Sequence, residues 1–330
     1  MIFLCLRFAL VVTCWSRVNA GIGADLPWTT YEAEAMNHTG IVLGPRYDPH
    51  LVETEASGQQ CVKLTASGAF VEFSSESDAN ALVVRYSLPD AESGGRRNTT
   101  LSLFVNGRQV STLALTSRYS WLYGDYPFSN QPEDLKPRNC YDELRVKDLK
   151  IAKGDVVRLQ KTVAEDSACI VDFVDLETVG PALTAPANAL SVLEFGAAGN
   201  GENDDTAALS ACVAAAQQQG KIVWVPAGDY KLTGDIIVPS LVRIQGAGMW
   251  HTTFVGDEKL YLQPDRRVRI KLIGEQIHLA DFAITGKLNY RDDREANDGI
   301  VGAGCAASSV SRVWVEHTKR VFGFITVTMC

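Results

Sequence analysis

Closely spaced cysteine pairs are missing from this sequence, and histidine is scarce. None of the eight cysteines belongs to a C-x-x-C pair, so the spacing that zinc sites use is absent. There are five histidines, and His251, His278 and His317 lie far apart without an H-x-x-x-H or a Ser/His/Asp pattern. These absences argue against a zinc hydrolase and against a catalytic triad.

Basic residues are also fewer than acidic ones. The 330 residues carry 31 Lys and Arg against 39 Asp and Glu, a formal charge of −8. Without a basic stripe, nucleic acids and anionic membranes are poor partners. A neutral polysaccharide tolerates an acidic surface. The hydrophobic content of 46% indicates folded domains rather than disorder.

Long hydrophobic runs are confined to the N-terminus. Residues 1–20 have the pattern of a secretory signal peptide, with apolar Ile2–Leu6 and Phe8–Val12 before a small-residue cleavage site at Val18-Asn19-Ala20. The run is interrupted by Arg7 and is too short to span a bilayer. We therefore expect a secreted, extracellular, monomeric protein with no membrane partner.

In an extracellular protein, sequons can be glycosylated and cysteines can form disulfides. Asn37 and Asn98 are glycosylation sites if the host glycosylates secreted proteins. Cys61, Cys140 and Cys169 share the first domain, so one disulfide among them is an option, and its pairing stays open.

Residues 25–180 are a series of short alternating segments separated by turns. Strand-like runs include Ala81–Ser87, Val156–Gln160 and Ile170–Leu176, and Asn106-Gly107 is a strong hairpin signal. Many short strands at this spacing indicate an antiparallel β-sandwich. The Pro/Ala-rich residues 181–190 then predict a short linker.

The second domain, residues 191–330, opens with an unusual order of elements. Strand-like Ser191–Phe195 precedes a glycine-rich turn, an Ala-rich helix ends at Gly220, and strand-like Ile222–Val225 follows. Asp204 or Asp205 is expected to cap the helix. This interpretation is favoured over a pair of carboxylates for acid–base chemistry on a sugar.

This order resembles the N-terminal cap of a right-handed parallel β-helix of the pectate-lyase type, with its signature FGAxGdGxxDDTaAl … vxvPaGxY. Further strand-like segments suit short coils: Ile236–Val238, Val242–Gln245, Thr253–Val255, Leu260–Gln263, Ile277–Ile284 and Val310–Val315. The expected fold is all-β: an N-terminal antiparallel β-sandwich, then a right-handed parallel, pectin-lyase-like β-helix with one capping α-helix.

Two strands of the first domain resemble those of carbohydrate-binding modules of families 6 and 35. They are Tyr31-Glu32-Ala33-Glu34 and the run from Val171 to Leu176. The resemblance implies a structural calcium ion held by Glu32, Glu34 and Asp172, since oxygen ligands suit that cation. The alternative is that all three are exposed strand carboxylates.

An aromatic loop lies between these strands. Tyr119, Trp121, Tyr123 and Tyr126 are candidate sugar-binding residues, because aromatic faces pack on the apolar faces of pyranose rings. The equally weighted alternative is that the loop packs back on the sandwich or docks onto the β-helix.

Five segments together sharpen the resemblance: LPWTTYEAEAMNHTG, LTSRYSWLYG, IQGAGMWHTTF, DFAITGKLNYRDD…NDGI and SRVWVEHTK. As a set they resemble the secreted α-1,3-glucanases (mycodextranase-like) of glycoside hydrolase family 87. That resemblance implies inverting hydrolysis of α-1,3-glucan, with no organic cofactor. It places the catalytic aspartates in Asp-Gly and Gly-Asp-Asp motifs downstream of VEHTK, so we expect a chain that stops before them.

The acids that precede VEHTK are weaker catalytic candidates. Asp292, Asp293 and Asp298 cluster in a polar loop, and ordinary turn chemistry is the alternative explanation. Two other functions stay open. One is non-catalytic glycan binding, and the other is a different β-helix activity, such as a β-1,3-glucanase or a pectate lyase-type enzyme.

Overall fold

The computed structural model describes residues 27–48, 51–89, 96–120, 141–162, 168–261, 263, 266–289, 299–319 and 322–324. Across these ranges the fold is all-β apart from one α-helix and short 3₁₀ turns, as the sequence predicts. No helix in this part of the chain is long and apolar enough to cross a membrane.

The first domain is a sandwich of two antiparallel sheets. One sheet has the order β3–β4–β11–β6–β9, with β1 also paired to β11, and the other has the order β2–β5–β10–β7–β8. Its strands are β1 (Trp28–Glu32), β2 (Asn37–His38), β3 (Ile41–Leu43), β4 (Cys61–Leu64), β5 (Phe70–Ser74), β6 (Ala81–Ser87), β7 (Asn98–Val105), β8 (Arg108–Thr116), β9 (Asp142–Val146), β10 (Val156–Gln160) and β11 (Cys169–Glu177).

Alternation along the strands builds the sandwich core. In β10, Val157 and Leu159 are fully buried while their neighbours are partly exposed, because successive side chains point to opposite faces. The hairpin turn predicted at Asn106-Gly107 joins β7 to β8, and both residues have positive φ (50° and 75°), as a type I′ turn requires.

The second domain is a parallel β-helix in which every pairing is parallel. Its elements are β12 (Ala189–Ser191), β13 (Asn200–Asp204), α1 (Thr206–Gln219), β14 (Ile222–Val225), β15 (Gly228–Leu232), β16 (Asp235–Val238), β17 (Arg243–Gly246), β18 (Thr252–Gly256), β19 (Arg269–Leu272), β20 (His278–Thr285), β21 (Gly299–Gly302), β22 (Ser309–Glu316) and β23 (Phe322–Phe324).

The β-helix has three faces. The first stacks β12, β14, β17 and the starts of β20 and β22; the second stacks β13, β15, β18 and the ends of β20 and β22; the third stacks β16, β19, β21 and β23. The corner between the first two faces lies within β20 and β22, where Asp281 and Arg312 have positive φ (66° and 51°). Inside, Phe254 packs edge-on against Phe282 with ring centroids 5.0 Å apart.

The acids before α1 do less direct capping than expected. Asp205 occupies the N-cap position, but its carboxylate accepts hydrogen bonds from the backbone N–H groups of Ala198 and Gly199 (2.7 and 3.1 Å). Asp204 instead binds the helix start, accepting from Thr206 N at 3.0 Å. Both acids therefore organise the glycine-rich turn and the helix start. The predicted stop is confirmed, because Gly220 ends α1 with φ 63°.

Two strand predictions in the second domain are wrong. Ser191–Phe195 contains only the last residue of β12, and Val192–Phe195 form a 3₁₀ turn with a capping box between Ser191 and Glu194. The described residues of Leu260–Gln263 lie in turns, where Tyr261 is fully buried. Both runs are apolar because they face the core, and this property does not distinguish turns from strands.

The disulfide proposed for the first domain is absent. Cys61 and Cys169 are both buried free thiols, and any pairing among Cys61, Cys140 and Cys169 would use at least one of them. Burial raises the pKa of the Cys169 thiol to about 12, so this side chain behaves as a small apolar residue.

Candidate functional site

The acids expected to bind calcium gather at one edge of the sandwich. Glu32 ends β1, Glu34 lies in the following 3₁₀ turn, and Asp172 lies in β11. Ser57 connects two of them: its hydroxyl donates to Glu32 Oε1 (2.8 Å) and its backbone N–H donates to Asp172 Oδ1 (3.0 Å). The fold therefore brings together acids that are far apart in sequence.

These acids fit a cation only in part. Glu32 Oε2 and Glu34 Oε2 are buried without a hydrogen-bond partner in the described structure. Asp172 instead forms an ion pair with Arg85. Burial raises the pKa of Asp172 to about 6, although Arg85 opposes that shift. No group of three or more His, Cys, Asp or Glu side chains in the described ranges is arranged to hold a metal.

The aromatic loop is described as far as residue 120. Within it, Tyr119 stacks on His317 of the β-helix, with ring centroids 4.1 Å apart. Its neighbour Arg118 forms an ion pair with Glu258, also in the β-helix. Tyr119 thus docks between the domains, one of the two alternatives that the sequence leaves open. The other three candidate aromatics lie outside the described residues: Trp121, Tyr123 and Tyr126.

The three aspartates named as catalytic candidates also lie outside the described residues, since Asp292, Asp293 and Asp298 fall within 290–298. The sequon residues are described: Asn37 begins β2, Asn98 begins β7, and both are exposed. The Asn37 amide donates to Glu72 Oε1 at 3.3 Å.

A cleft of about 320 Å³ lies between the two domains; we call it the interdomain cleft. From the sandwich it is lined by Glu143 and Arg145 of β9 and by Lys147, and from the β-helix by residues that include Asp229, Trp250 and Glu316. Strand alternation explains the outward side chains of β22: Val313 and Val315 pack on the β-helix core, so Trp314 and Glu316 point away from it.

Arg145 fixes the floor of the interdomain cleft. Its guanidinium lies 5.1 Å from the ring centre of Trp250 and 4.8 Å from that of Trp314, within cation–π range of both. Arg145 Nη1 also donates to the Met249 carbonyl at 2.9 Å. One sandwich residue thus holds two β-helix tryptophans.

Carboxylates complete the polar wall of the cleft. Glu316 accepts one hydrogen bond on each oxygen, from Thr285 Oγ1 (2.9 Å) and from Trp314 Nε1 (2.7 Å). Burial raises the pKa of Glu143, an effect that nearby Arg85 opposes. At the margin, His317 Nε2 lies 2.9 Å from Asp142 Oδ1. The cleft therefore combines fixed aromatic rings with hydrogen-bonding groups, the combination found in sites for polar organic ligands.

Comparison with known proteins identifies relatives for both domains. A family model for the α-1,3-glucanase catalytic domain D1 matches residues 25–179, and one for rhamnogalacturonase A/epimerase, pectate lyase-like, matches residues 189–313. The solved catalytic domain of Agl-KA is 30% identical with a TM-score of 0.79, covering 90% of this chain and 54% of its own. The sandwich and the β-helix are therefore both similar to those of an α-1,3-glucanase catalytic domain.

Two further solved structures, both of GH87 α-1,3-glucanases, are similar to nearly the whole of this chain. The catalytic unit of the thermostable GH87 α-1,3-glucanase from Streptomyces thermodiastaticus strain HF3-3 is 37% identical, with a TM-score of 0.73, covering 89% of this chain and 51% of its own. A GH87 α-1,3-glucanase catalytic domain in complex with nigerose is 25% identical, with a TM-score of 0.75, covering 92% and 54%. The chain spans about half the length of these units.

Curated relatives match a much shorter stretch of the chain. Mannuronan C5-epimerase AlgE1 of Azotobacter vinelandii is 41% identical over 70 residues, which are 19% of this chain and 5% of that protein. Alginate lyase 7 of the same organism is 39% identical over 82 residues, 21% and 10% of the two chains.

Sequence reasoning missed the interdomain cleft of this chain. Trp250 stands out only as part of IQGAGMWHTTF, and Glu316 only as an isolated strand acid. The sequence does show that Glu143 and Arg145 are two positions apart in β9, and that Trp314 and Glu316 are two positions apart in β22. Each pair therefore lies on one face of its strand. The sequence does not show that β9 and β22 come into contact.

Proposed function

We propose that this chain is directed at α-1,3-glucan and belongs to the catalytic machinery of a glycoside hydrolase that acts on it. The observation that carries this proposal is the match to GH87 catalytic units across both domains, at 30% identity over 90% of the chain for Agl-KA. A fold alone does not fix an activity. Here, however, the sandwich itself matches the model of the α-1,3-glucanase catalytic domain D1.

Alginate-acting relatives offer a rival substrate class, but they match less of the chain than the α-1,3-glucanases do. Related catalytic domains have been solved in complex with nigerose and with tetrasaccharides, which supports a glucan oligosaccharide as the ligand here. The alginate-acting relatives match about a fifth of the chain. The proposed substrate is therefore a neutral glucan rather than a uronate polymer.

Hydrolysis with inversion needs one carboxylic acid to protonate the leaving oxygen and one carboxylate to activate water. Asp298, Asp293 and Asp292 remain the candidates named from the sequence for a contribution within this chain. A second candidate function, glycan binding without hydrolysis, is favoured by the clustering of aromatic and polar side chains in the interdomain cleft.

The deciding experiment measures reducing-sugar release from insoluble α-1,3-glucan, with a pull-down of the same polymer in parallel. We expect the chain to bind the polymer. Hydrolysis that disappears in Asp298→Ala, but persists in the exposed control Asp48→Ala, would place a catalytic acid within residues 290–298. Binding without hydrolysis would support the binding function. Absence of both would overturn the glucan assignment.

Secretion, glycosylation and calcium binding complete the proposal. The N-terminal residues 1–20 support export, and the exposed positions of Asn37 and Asn98 are compatible with glycan attachment. The partnerless buried oxygens of Glu32 and Glu34 support a calcium ion at the edge of a carbohydrate-binding-module-like sandwich. When bound, calcium would supply charge neutralisation there, with main-chain carbonyls or water as further ligands.

A further inference from the structure

The interdomain cleft is built from two strands that meet across the domain boundary. Glu143 and Arg145 alternate on β9, Trp314 and Glu316 alternate on β22, and each pair faces the other. The volume of about 320 Å³ lies at the lower end of the range of small-ligand sites, so the cleft suits a small saccharide unit rather than a long chain.

The aromatic rings of the cleft are fixed by the protein itself. Trp250 Nε1 donates to Glu177 Oε2 at 3.0 Å, and Trp314 Nε1 donates to Glu316 Oε2 at 2.7 Å. With Arg145 beside both rings, neither indole has to be ordered when a ligand arrives. Such preorganisation lowers the entropic cost of binding, and flat aromatic faces suit the apolar faces of pyranose rings.

The hydrogen-bonding groups retain capacity for a ligand. Each Glu316 oxygen accepts one hydrogen bond from the protein, and a carboxylate oxygen can accept two. Lys147 Nζ donates to the Trp250 carbonyl at 3.1 Å and has further protons to donate. Exposed Asp229 adds a carboxylate at the rim. Sugar hydroxyls both donate and accept hydrogen bonds, so they can bind both the carboxylate acceptors and the lysine donor of the cleft.

The charges of the cleft favour an uncharged ligand. Three carboxylates line it, on Glu143, Asp229 and Glu316, against the two permanent cations Arg145 and Lys147. A uronate would meet this excess of negative charge, and Arg145 is already engaged by two rings and a carbonyl. A neutral hexose avoids the repulsion.

We propose that the interdomain cleft is a saccharide subsite for one neutral hexopyranose unit, held jointly by Glu143 and Arg145 of the sandwich and by Trp250 and Glu316 of the β-helix. This assignment rests on the proposed function, because the glucan supplies the hexose. It makes the sandwich part of the substrate site rather than a separate binding module.

The test titrates the full chain with nigerose while tryptophan fluorescence is recorded, since two of the six tryptophans line or flank the cleft. Digalacturonate is the charged probe of similar size. We expect nigerose to change the fluorescence and digalacturonate to bind at least about tenfold more weakly. Glu316→Gln should weaken nigerose binding about tenfold or more, as expected for loss of a hydrogen bond to a charged group.

Two further variants control the result. Glu72→Gln makes the same chemical change in β5, where Glu72 pairs with Arg158, and should leave the nigerose affinity unchanged. Asp229→Asn changes an exposed rim residue that is not packed in a core, so a loss of affinity there is not explained by misfolding. Circular dichroism verifies the fold of each variant.

The outcomes separate this inference from the proposed function. Wild-type affinity in both Glu316→Gln and Asp229→Asn, or preferred binding of digalacturonate, overturns the subsite even if the chain degrades glucan. Cleft-dependent binding of nigerose without any hydrolysis supports the subsite and contradicts only a catalytic role. Failure of the wild-type chain to bind nigerose overturns the subsite.

Discussion

Single carboxylates in this protein take their roles from contacts outside the helix or strand that carries them. Asp205 stands at the start of α1, yet its carboxylate binds the backbone of Ala198 and Gly199. Asp172 belongs by resemblance to a calcium site, yet Arg85 and the backbone N–H of Ser57 occupy it. Glu32 and Glu34 keep buried oxygens that nothing described satisfies. An unsatisfied buried carboxylate calls for a proton or a cation.

The first prediction concerns Glu34. Calcium should raise the melting temperature of the wild-type chain relative to the same protein in a chelator, because a ligand that binds only the folded state stabilises it. Glu34→Gln should remove this calcium response. The matched control Glu55→Gln changes an exposed carboxylate in the nearby 3₁₀ turn and should retain it. Equal calcium responses in both variants, or none in wild type, would contradict the site.

The pH dependence of this effect follows from burial. Burial raises the pKa of Glu34 above 4.5, and the charge of Glu32 adds to the shift. In the chelator, the contribution of Glu34 to stability is present below pH 4.5 and is lost as the pH rises through the folded-state pKa. Calcium takes the place of the proton, so stabilisation by calcium should increase as the pH rises through the folded-state pKa of Glu34.

At the scale of elements, the corners of the β-helix set the alignment of its coils. Gly246 ends β17 directly beneath the corner of β20, and a Cβ atom there would overlap the carbonyl oxygen of Asp281. At the same corner the Arg312 guanidinium binds Asp281, with Nη2 and Oδ2 2.9 Å apart, and Gln245 donates to Asp281. Glycine at 246 is therefore required by the close approach of two backbones.

The second prediction tests this corner. Gly246→Ala should lower the free energy of unfolding by about 1–3 kcal/mol, the usual range for overpacking, because backbone cannot move aside as a flexible side chain can. Gly180→Ala is the matched control, since a Cβ at 180 meets nothing within 4 Å. Denaturant unfolding measures both. Equal stability of the two variants would show that the coil spacing relaxes.

Periodicity predicts the elements of this chain unequally well. Ala81–Ser87 and Val156–Gln160 match β6 and β10 because they alternate cleanly or carry strong β-formers. The short strands β15, β19 and β21 escape prediction. Each contains Gly or charged residues, and pairing with parallel neighbours rather than a local sequence pattern holds it in place. The local sequence pattern therefore does not reveal every strand of a β-helix.

At the scale of the whole molecule, the two domains are joined by more than their linker. Trp250 donates to Glu177, His251 Nε2 lies 2.9 Å from the Gly180 carbonyl, and Tyr119 stacks on His317. Arg145 adds its two cation–π contacts and the Met249 carbonyl. We expect this contact surface to make the domains unfold together.

The third prediction concerns this coupling. Arg145→Ala should weaken domain docking by about 2 kcal/mol, from the lost cation–π contacts and the lost hydrogen bond. Differential scanning calorimetry should then show two separated transitions in place of one. Arg108→Ala, at an exposed hairpin position, should unfold as wild type does. A single unshifted transition in Arg145→Ala would mean that other contacts hold the domains.

The sequence by itself determined the all-β class, the order of sandwich and β-helix, and the GH87 resemblance. Hydrophobic alternation, turn residues such as Asn106-Gly107, and the helix stop at Gly220 are local properties, so they can be read along the chain. Only the tertiary structure decided the two sites. Glu143 and Glu316, or Glu32 and Asp172, are brought close together by strand pairing and domain docking although each pair is more than about a hundred residues apart in sequence. No local sequence pattern encodes contacts between residues so far apart in the chain.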